Sequence, residues 1–290
     1  MPKDPEPSHL QRDFTFAAIK SGIRTDGRRL DESRPWDLEW IGGEDGGVEC
    51  RLGGTCVFAR VSSTIVRPKA ERPYEGLVSI HFELSPMAST SYETGRSSEE
   101  ETRLSLLLDK AIRKSDCIDR ESLCIIAGEK VLHLRITIHP LSDQGNLLDC
   151  AMMAVMAGLR GYRRREWEVE GGEVVVFAPD ERPPVALALH HVPLCITFAY
   201  FEGLPPILDP SLSELLLSPS LLTLSLSSTS TTHTASAELN MLSKTGGVAL
   251  SPGDLLDVVR LGGERCASWG AWLEGRVKKE VQARGLEGAL

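Results

Sequence analysis

Asp143 and Asp149 stand six residues apart on either side of Gly145-Asn146-Leu147-Leu148, and two carboxylates so placed could share a metal ion or a proton. Their position at the start of an apolar run predicts a plainer role. Asp143 can cap the helix that follows, and Asp149 sits one turn inside it. His190 and His191 could also attract a metal, but neighbours on a strand point to opposite faces and cannot chelate together. The seven cysteines (Cys50, Cys56, Cys117, Cys124, Cys150, Cys195 and Cys266) include no Cys-x-x-Cys pair, which argues against a disulfide framework and a structural zinc site. No metal and no cofactor is expected. Basic residues offer a different chemistry. Arg67, Lys69 and Arg72 share the loop RPKAERP, Arg96 lies in a Gly-Arg-Ser turn, and Lys110 and Arg113 fall on one helical face. Cations in such a series can track the backbone of single-stranded RNA without reading its bases. Ordinary surface ion pairing with Glu99–Glu101 is the competing reading. No aromatic pair is interleaved with these cations, so an independent base-stacking platform is not expected. Trp269 and Trp272 read as core and interface anchors, and Trp36 and Trp40, at one parity of a strand, can serve likewise.

The chain that must position these groups has 290 residues, 41% of them hydrophobic and 25% charged, enough for a packed core. Lys and Arg number 32 and Asp and Glu 41, giving 32 − 41 = −9, so bulk electrostatics will not coat it with nucleic acid. Apolar runs such as Ala151–Leu159 fall well short of the ~18 residues that cross a bilayer. The polar, proline-bearing start lacks the apolar stretch of a secretory signal, and the expectation is a soluble intracellular chain with no membrane contact.

Periodicity predicts the elements. Leu10–Gly22 reads as a helix with Leu10, Phe14, Ala17 and Ala18 on its apolar face. GIRTDGRRLDE is then a turn, which by composition alone is a solvated loop. Strands follow at Gly47–Leu52, Thr55–Ile65 and Leu77–Leu84, and a helix over Ser97–Lys114 with a stripe of Leu104, Leu107, Leu108 and Ile112. Leu132, Leu134, Ile136 and Ile138 alternate with His133, Arg135, Thr137 and His139 as on a strand. Asn146–Gly161 is a helix apolar nearly all round, to be buried between layers. Strands are expected near Glu173–Phe177, Pro193–Phe201, Leu221–Leu226 and Glu238–Ala249, with a Ser/Thr-rich flexible insert at about 227–237. A long C-terminal helix starts at Ser251-Pro252 with the face Leu255, Val259, Cys266, Trp269, Leu273 and Val277. The sum is an α+β architecture of two successive sheet-plus-helix units. Residues 1–22 form an N-terminal extension and residues 23–285 a single domain.

Five strings occur in order: GIRTDGRRLDE, GLVSIHFELSPMA, ETGRSSEEE, CIDRESLCIIAGEK and HPLSDQGNLLDCAMMAVMAGL. With the later run VFAPDERPPVALALHHVPLCITFAYF they resemble the RNase PH family, and more narrowly the RNase PH-like ring subunits of the RNA exosome. The resemblance implies an RNase PH-like fold, related to the second domain of ribosomal protein S5. It implies a place in a hetero-hexameric ring of RNase PH-like subunits around a channel that conducts single-stranded RNA. Cap subunits of the S1/KH type and associated hydrolytic nucleases are the further partners it implies, in the nucleus, nucleolus and cytoplasm.

Active members of the family cleave RNA with inorganic phosphate, which needs cations around the phosphate and carboxylates at the leaving oxygen. They carry a Gly-Thr-Arg type sequence where this chain has Gly145-Asn146-Leu147, so Leu147 replaces the arginine. They place two aspartates six residues apart before a Val-Pro pair, where this chain has Val185 and His191. Asn146, Leu147, Val185 and His191 are thus the degenerate active-site positions that the resemblance implies. Leu106 also stands where ring subunits carry a channel-facing arginine. The expectation is a non-catalytic, RNA-conducting subunit; the alternatives are a phosphorolytic exoribonuclease, or a chain that lends residues to a neighbour's composite site.

Overall fold

The structure is a computed structural model that describes residues 7–284 apart from 43–45, 94, 96–97, 172, 179–180 and 230–235. Its elements run α1 (His9–Lys20), β1 (Trp36–Ile41), β2 (Gly46–Leu52), β3 (Thr55–Val66), β4 (Leu77–Phe82), α2 (Glu99–Ile112), β5 (Cys124–Ile126), β6 (Lys130–Ser142) and α3 (Leu147–Gly161). They continue β7 (Arg163–Arg164), β8 (Trp167–Glu170), β9 (Glu173–Val176), β10 (Val185–Ala186), β11 (Pro193–Tyr200), β12 (Ile207–Leu208), α4 (Leu212–Leu217), β13 (Ser220–Thr229), β14 (Ser236–Gly246) and α5 (Pro252–Ala283).

The first sheet has the order β1-β2-β3-β6-β4, with β5 on β6. All its pairings are antiparallel except β4 with β6, which α2 connects as a crossover. On β6 the alternation predicted from sequence holds: Leu132, Leu134, Ile136 and Ile138 are buried while Arg135 is exposed. The second sheet is β12-β11-β13-β14. All eight residues of β11 are buried, because α3 and α5 both pack against it. α3 lies between the two sheets, touching β2, β3 and β11, which is why AMMAVMAGL needs no polar face. One apolar cluster runs through both sheets, α2, α3 and α5.

The long helix follows its sequence signals. Ser251 accepts from the Asp254 amide, Pro252 opens the first turn, and Cys266, Trp269, Leu273 and Val277 are buried. Leu255 and Val259 are partly buried and pack against the core, with Val258 and Gly262 buried beside them. Trp36 stacks edge-on against Trp269 at 5.1 Å between ring centres, and Trp40 and Trp272 pack against the same core.

Three expectations need correction. In α1 Leu10 and Phe14 are 82% and 65% exposed, while Thr15 and Ile19 are buried and Phe16 packs edge-on against Phe201. The apolar face drawn through Leu10 and Phe14 is therefore not the docked one. In the Ser/Thr-rich stretch, Ser227, Ser228 and Thr229 pair with Glu238, Ala237 and Ser236, so its flanks belong to the hairpin ladder. Only 230–235 of that insert lie outside the described residues. His190 and His191 precede β11 in irregular backbone rather than standing on a strand.

Candidate functional site

The chain enters α3 through two successive left-handed residues, Gly145 at φ +92° and Asn146 at φ +60°. A β-carbon on Gly145 would fall 2.5 Å from the Leu212 amide nitrogen, so α4 and this turn can meet only because position 145 is glycine. Contrary to the expectation from sequence, Asp143 does not cap α3. Its carboxylate accepts from the Gly145 amide at 2.8 Å and from the Tyr92 hydroxyl, and thereby fixes the turn. Asn146 occupies the N-cap position but makes no capping hydrogen bond. Its Nδ2 donates instead to Asp149 and to Asp209, both at 2.8 Å. Its Oδ1 is buried with no partner among the described residues.

Behind Asn146 lies a buried ionic network. Asp209 is fully buried and accepts from the Arg34 side chain at 2.7 Å and from Arg28 at 2.9 Å. Burial alone would raise its carboxyl, but hydrogen bonds and charge from Arg34 hold it below the usual carboxylate range. Arg24, 2% exposed, is paired in bidentate fashion with buried Glu214 and also donates to the Leu208 and Asp209 carbonyls at 2.8 Å. Asp149 accepts from the Thr197 amide at 2.9 Å and from its hydroxyl at 2.8 Å. Burial, opposed by the bonds from Asn146 and Thr197, pushes its carboxyl up to about 7. GIRTDGRRLDE is therefore no solvated loop: Arg24 and Arg28 tie it to the segment after β11. Composition could not reveal this, because the partners lie some 180 to 190 positions away.

A cavity of about 250 Å³ opens beside the same turn. Leu104, Leu107, Leu147, Leu212, Leu215 and Leu216 form its apolar wall, and Ser89, Ser91, Tyr92, Asp143 and Asn146 supply polar groups. Glu100 and Arg103 on the first turns of α2 lie at the lining too, as do Thr197 and Thr223 of the second sheet. Of the four degenerate positions expected from sequence, Asn146 and Leu147 line this cavity. Val185 and His191 do not: Val185 pairs with Arg164 on β7, and His191 Nε2 lies 3.2 Å from the Ser115 hydroxyl. The carboxylates at this turn are Asp143, Asp149 and Asp209 instead, and Asp209 was not singled out from sequence. The signal for it was the pair Asp209 and Glu214 in ILDPSLSEL, whose burial becomes evident only once Arg24 and Arg34 are seen to face it.

The basic candidates separate in space. Lys69, Arg72 and Arg113 line one groove of about 400 Å³ together with Lys114 and Arg120, which sequence reasoning missed. Glu71, Glu75 and Asp116 share it, so its formal charge is 5 − 3 = +2. Arg72 and Arg120 both pair with Glu75 at 3.1 Å, and Arg113 pairs with Asp109 at 2.8 Å. Lys69 and Lys114 carry no ion pair among the described residues. Arg67 is exposed and Lys110 half-buried, and neither lines the groove. Arg96 lies outside the described residues. Leu106 is 50% exposed on α2.

Among the described residues no group of three His, Cys, Asp or Glu side chains could hold a metal ion, and none of the helices is long and apolar enough to cross a membrane. The seven cysteines are all free thiols, five of them buried. Burial raises the thiols of Cys50, Cys117 and Cys195, which suits packing and not reactivity.

The sequence profile of the 3′ exoribonuclease family (RNase PH), domain 1, matches residues 32–163, and that of domain 2 matches residues 191–265. The exosome complex component rrp45 of Schizosaccharomyces pombe is 37% identical over 256 residues, 88% of this chain and 85% of that protein. RRP45 of Saccharomyces cerevisiae is 34% identical, across 86% of this chain and 84% of its own length. Human RRP45 is 35% identical, and this chain spans 58% of it. Among solved structures, an Archaeoglobus fulgidus exosome with RNA bound to the active site superposes with a TM-score of 0.75 at 24% identity, over 89% of this chain and 96% of that one. An archaeal exosome core gives 0.73 at 22% identity, over 91% and 96%. Those two likenesses show the fold, and the yeast relatives carry the assignment further: the chain belongs to the RNase PH family of 3′ exoribonuclease-type proteins, on the RRP45 branch to which the polymyositis–scleroderma autoantigen belongs.

Proposed function

We propose that this chain is a non-catalytic ring subunit of an RNA exosome, which holds its place between RNase PH-like neighbours and helps conduct single-stranded RNA. The observation that carries the non-catalytic part is Leu147 at the head of α3, in a cavity whose one lining cation, Arg103, faces Glu100 at 4.0 Å. Phosphorolysis needs an attacking dianion to be held and its charge offset as the RNA bond breaks. Here the apolar Leu147 and the acceptors of Asn146 and Asp143 offer neither. The buried carboxylates nearby are committed as well: Asp209 to Arg28 and Arg34, Glu214 to Arg24, and Asp149 to Thr197 and Asn146. None of the three lines the cavity.

Support for the RNA-conducting part comes from the groove of Lys69, Arg72, Arg113, Lys114 and Arg120, which concentrates positive charge on a chain of net charge −9. Partners in this reading are other RNase PH-like ring subunits, cap subunits of the S1/KH type and hydrolytic nucleases, in the nucleus, nucleolus and cytoplasm. The test is to reconstitute the ring and incubate it with labelled single-stranded RNA, phosphate and magnesium. No nucleoside diphosphates are expected. Their release, abolished by Asp209→Asn in this chain alone, would establish an active site here and overturn the reading.

A further inference from the structure

We infer that the cavity at the start of α3 binds a small organic cation, an amidine, guanidine or amine whose N–H donors sit on an apolar body. This inference stands on the cavity itself and not on the exosome reading. The polar end is set by Asn146, a residue 5% exposed. Its amide orientation is fixed from behind, because Nδ2 feeds two carboxylates, Asp149 and Asp209. Oδ1 is thereby committed as an acceptor; it has no partner among the described residues and is closed off from solvent, so a donor must part the cavity wall to reach it. A buried acceptor left bare costs free energy that an entering donor recovers.

The charges at the mouth select the sign of that donor. Glu100, Asp143 and Arg103 sum to −2 + 1 = −1. Burial raises the Glu100 carboxyl, Arg103 lowers it, and the Asp143 charge raises it again. Two acids that feel each other across an opening gain from a cation between them and repel an anion. The apolar wall of Leu104, Leu107, Leu147 and Leu215 then takes the body of the ligand, and at about 250 Å³ there is room for a ring or a short chain.

Calorimetry on the full chain tests this with two probes, benzamidine and inorganic phosphate. Benzamidine is expected to bind once per chain, and phosphate not at all. Glu100→Gln, in the first turn of α2, should weaken benzamidine by roughly tenfold, the loss of one charge-assisted contact. Leu216→Arg, at a half-exposed wall position, places a cation at the cavity and should abolish binding without disturbing the core. Absence of benzamidine binding to the unaltered chain would overturn the inference. So would phosphate binding as tight as benzamidine, or benzamidine binding that neither substitution changes.

Discussion

Arg24 and Glu214, 190 positions apart in the chain, bury their charges completely against one another. Two ions removed from water at that depth cost several kcal/mol each, and only bidentate geometry with extra acceptors on the guanidinium offsets it. The Leu208 and Asp209 carbonyls supply those acceptors. Removing one partner should thus be far worse than removing both. Glu214→Ala is expected to cost about 3–5 kcal/mol in urea denaturation, and Arg24→Met with Glu214→Leu to recover most of it. Equal losses in the single and the double variant would mean that the pair's surroundings, not its charges, carry the stability.

Asp149 gives the stability an unusual pH dependence. Its carboxyl is pushed up to about 7 in the fold against an ordinary value of 3.8. Between those values the folded chain keeps a proton that the unfolded chain has released. Stability therefore falls as pH rises, by ~1.4 kcal/mol per unit, and levels off above the folded value. Asp209 works the other way: its carboxyl is held low, so its contribution is present above 3.8 and is lost as pH falls. Asn in place of Asp149 can still accept from Asn146 and the Thr197 amide through one atom, and can donate to the Thr197 hydroxyl through the other. Asp149→Asn should flatten the decline between about pH 5 and about pH 7. Unfolding midpoints at several pH values for both proteins check it, and parallel slopes would sink the assignment.

Gly145 and Gly27 have nearly the same backbone angle, +92° and +83°, but different surroundings. A β-carbon meets backbone atoms of Ser211 and Leu212 at position 145 and nothing within 4 Å at position 27. Gly27→Ala should cost only the left-handed strain, about 1 kcal/mol. Gly145→Ala adds a backbone clash and should cost about 3 kcal/mol or more, with benzamidine binding lost because Asn146 moves. Comparable unfolding midpoints for the two variants would show that the turn can relax.

The parts of the fold with a local period were legible in the sequence. β6 alternates over residues 132–138, and α3 is apolar on every side because it has a sheet on each. α1 misled because its strongest apolar residues, Leu10 and Phe14, are the ones left in solvent, while Thr15 and Ile19 meet the protein. Periodicity reports which face is apolar, not whether a partner covers it. The network of Arg24, Arg34, Asp209 and Glu214 leaves no local period at all. Arg24 reads as a turn residue and the other three carry no signal until the fold brings the loop before β1 against the segment after β11. Half of the candidate site was readable for the same reason: Asn146 and Leu147 sit at a helix start that the sequence marks, whereas Asp209 is joined to them only in space.

The basic groove yields the last prediction. Arg72 and Arg120 spend their charge on Glu75, and Arg113 spends its on Asp109, so each projects little field into solvent. Lys69 and Lys114 have no such partner among the described residues, and their strongly hydrated ammonium groups are the ones able to displace counterions from a phosphate backbone. Lys69→Glu with Lys114→Glu should weaken retention of single-stranded RNA by the reconstituted ring and make the dependence of log affinity on log salt shallower by about 1–2. Lys110→Glu makes one such reversal on α2, four positions before Lys114, but lies off the groove, and it should leave both quantities close to their original values. Measurement of affinity at several salt concentrations separates the two cases. A slope that Lys110→Glu alters as much as the double variant would mean that RNA responds to the net charge of this face and not to the groove.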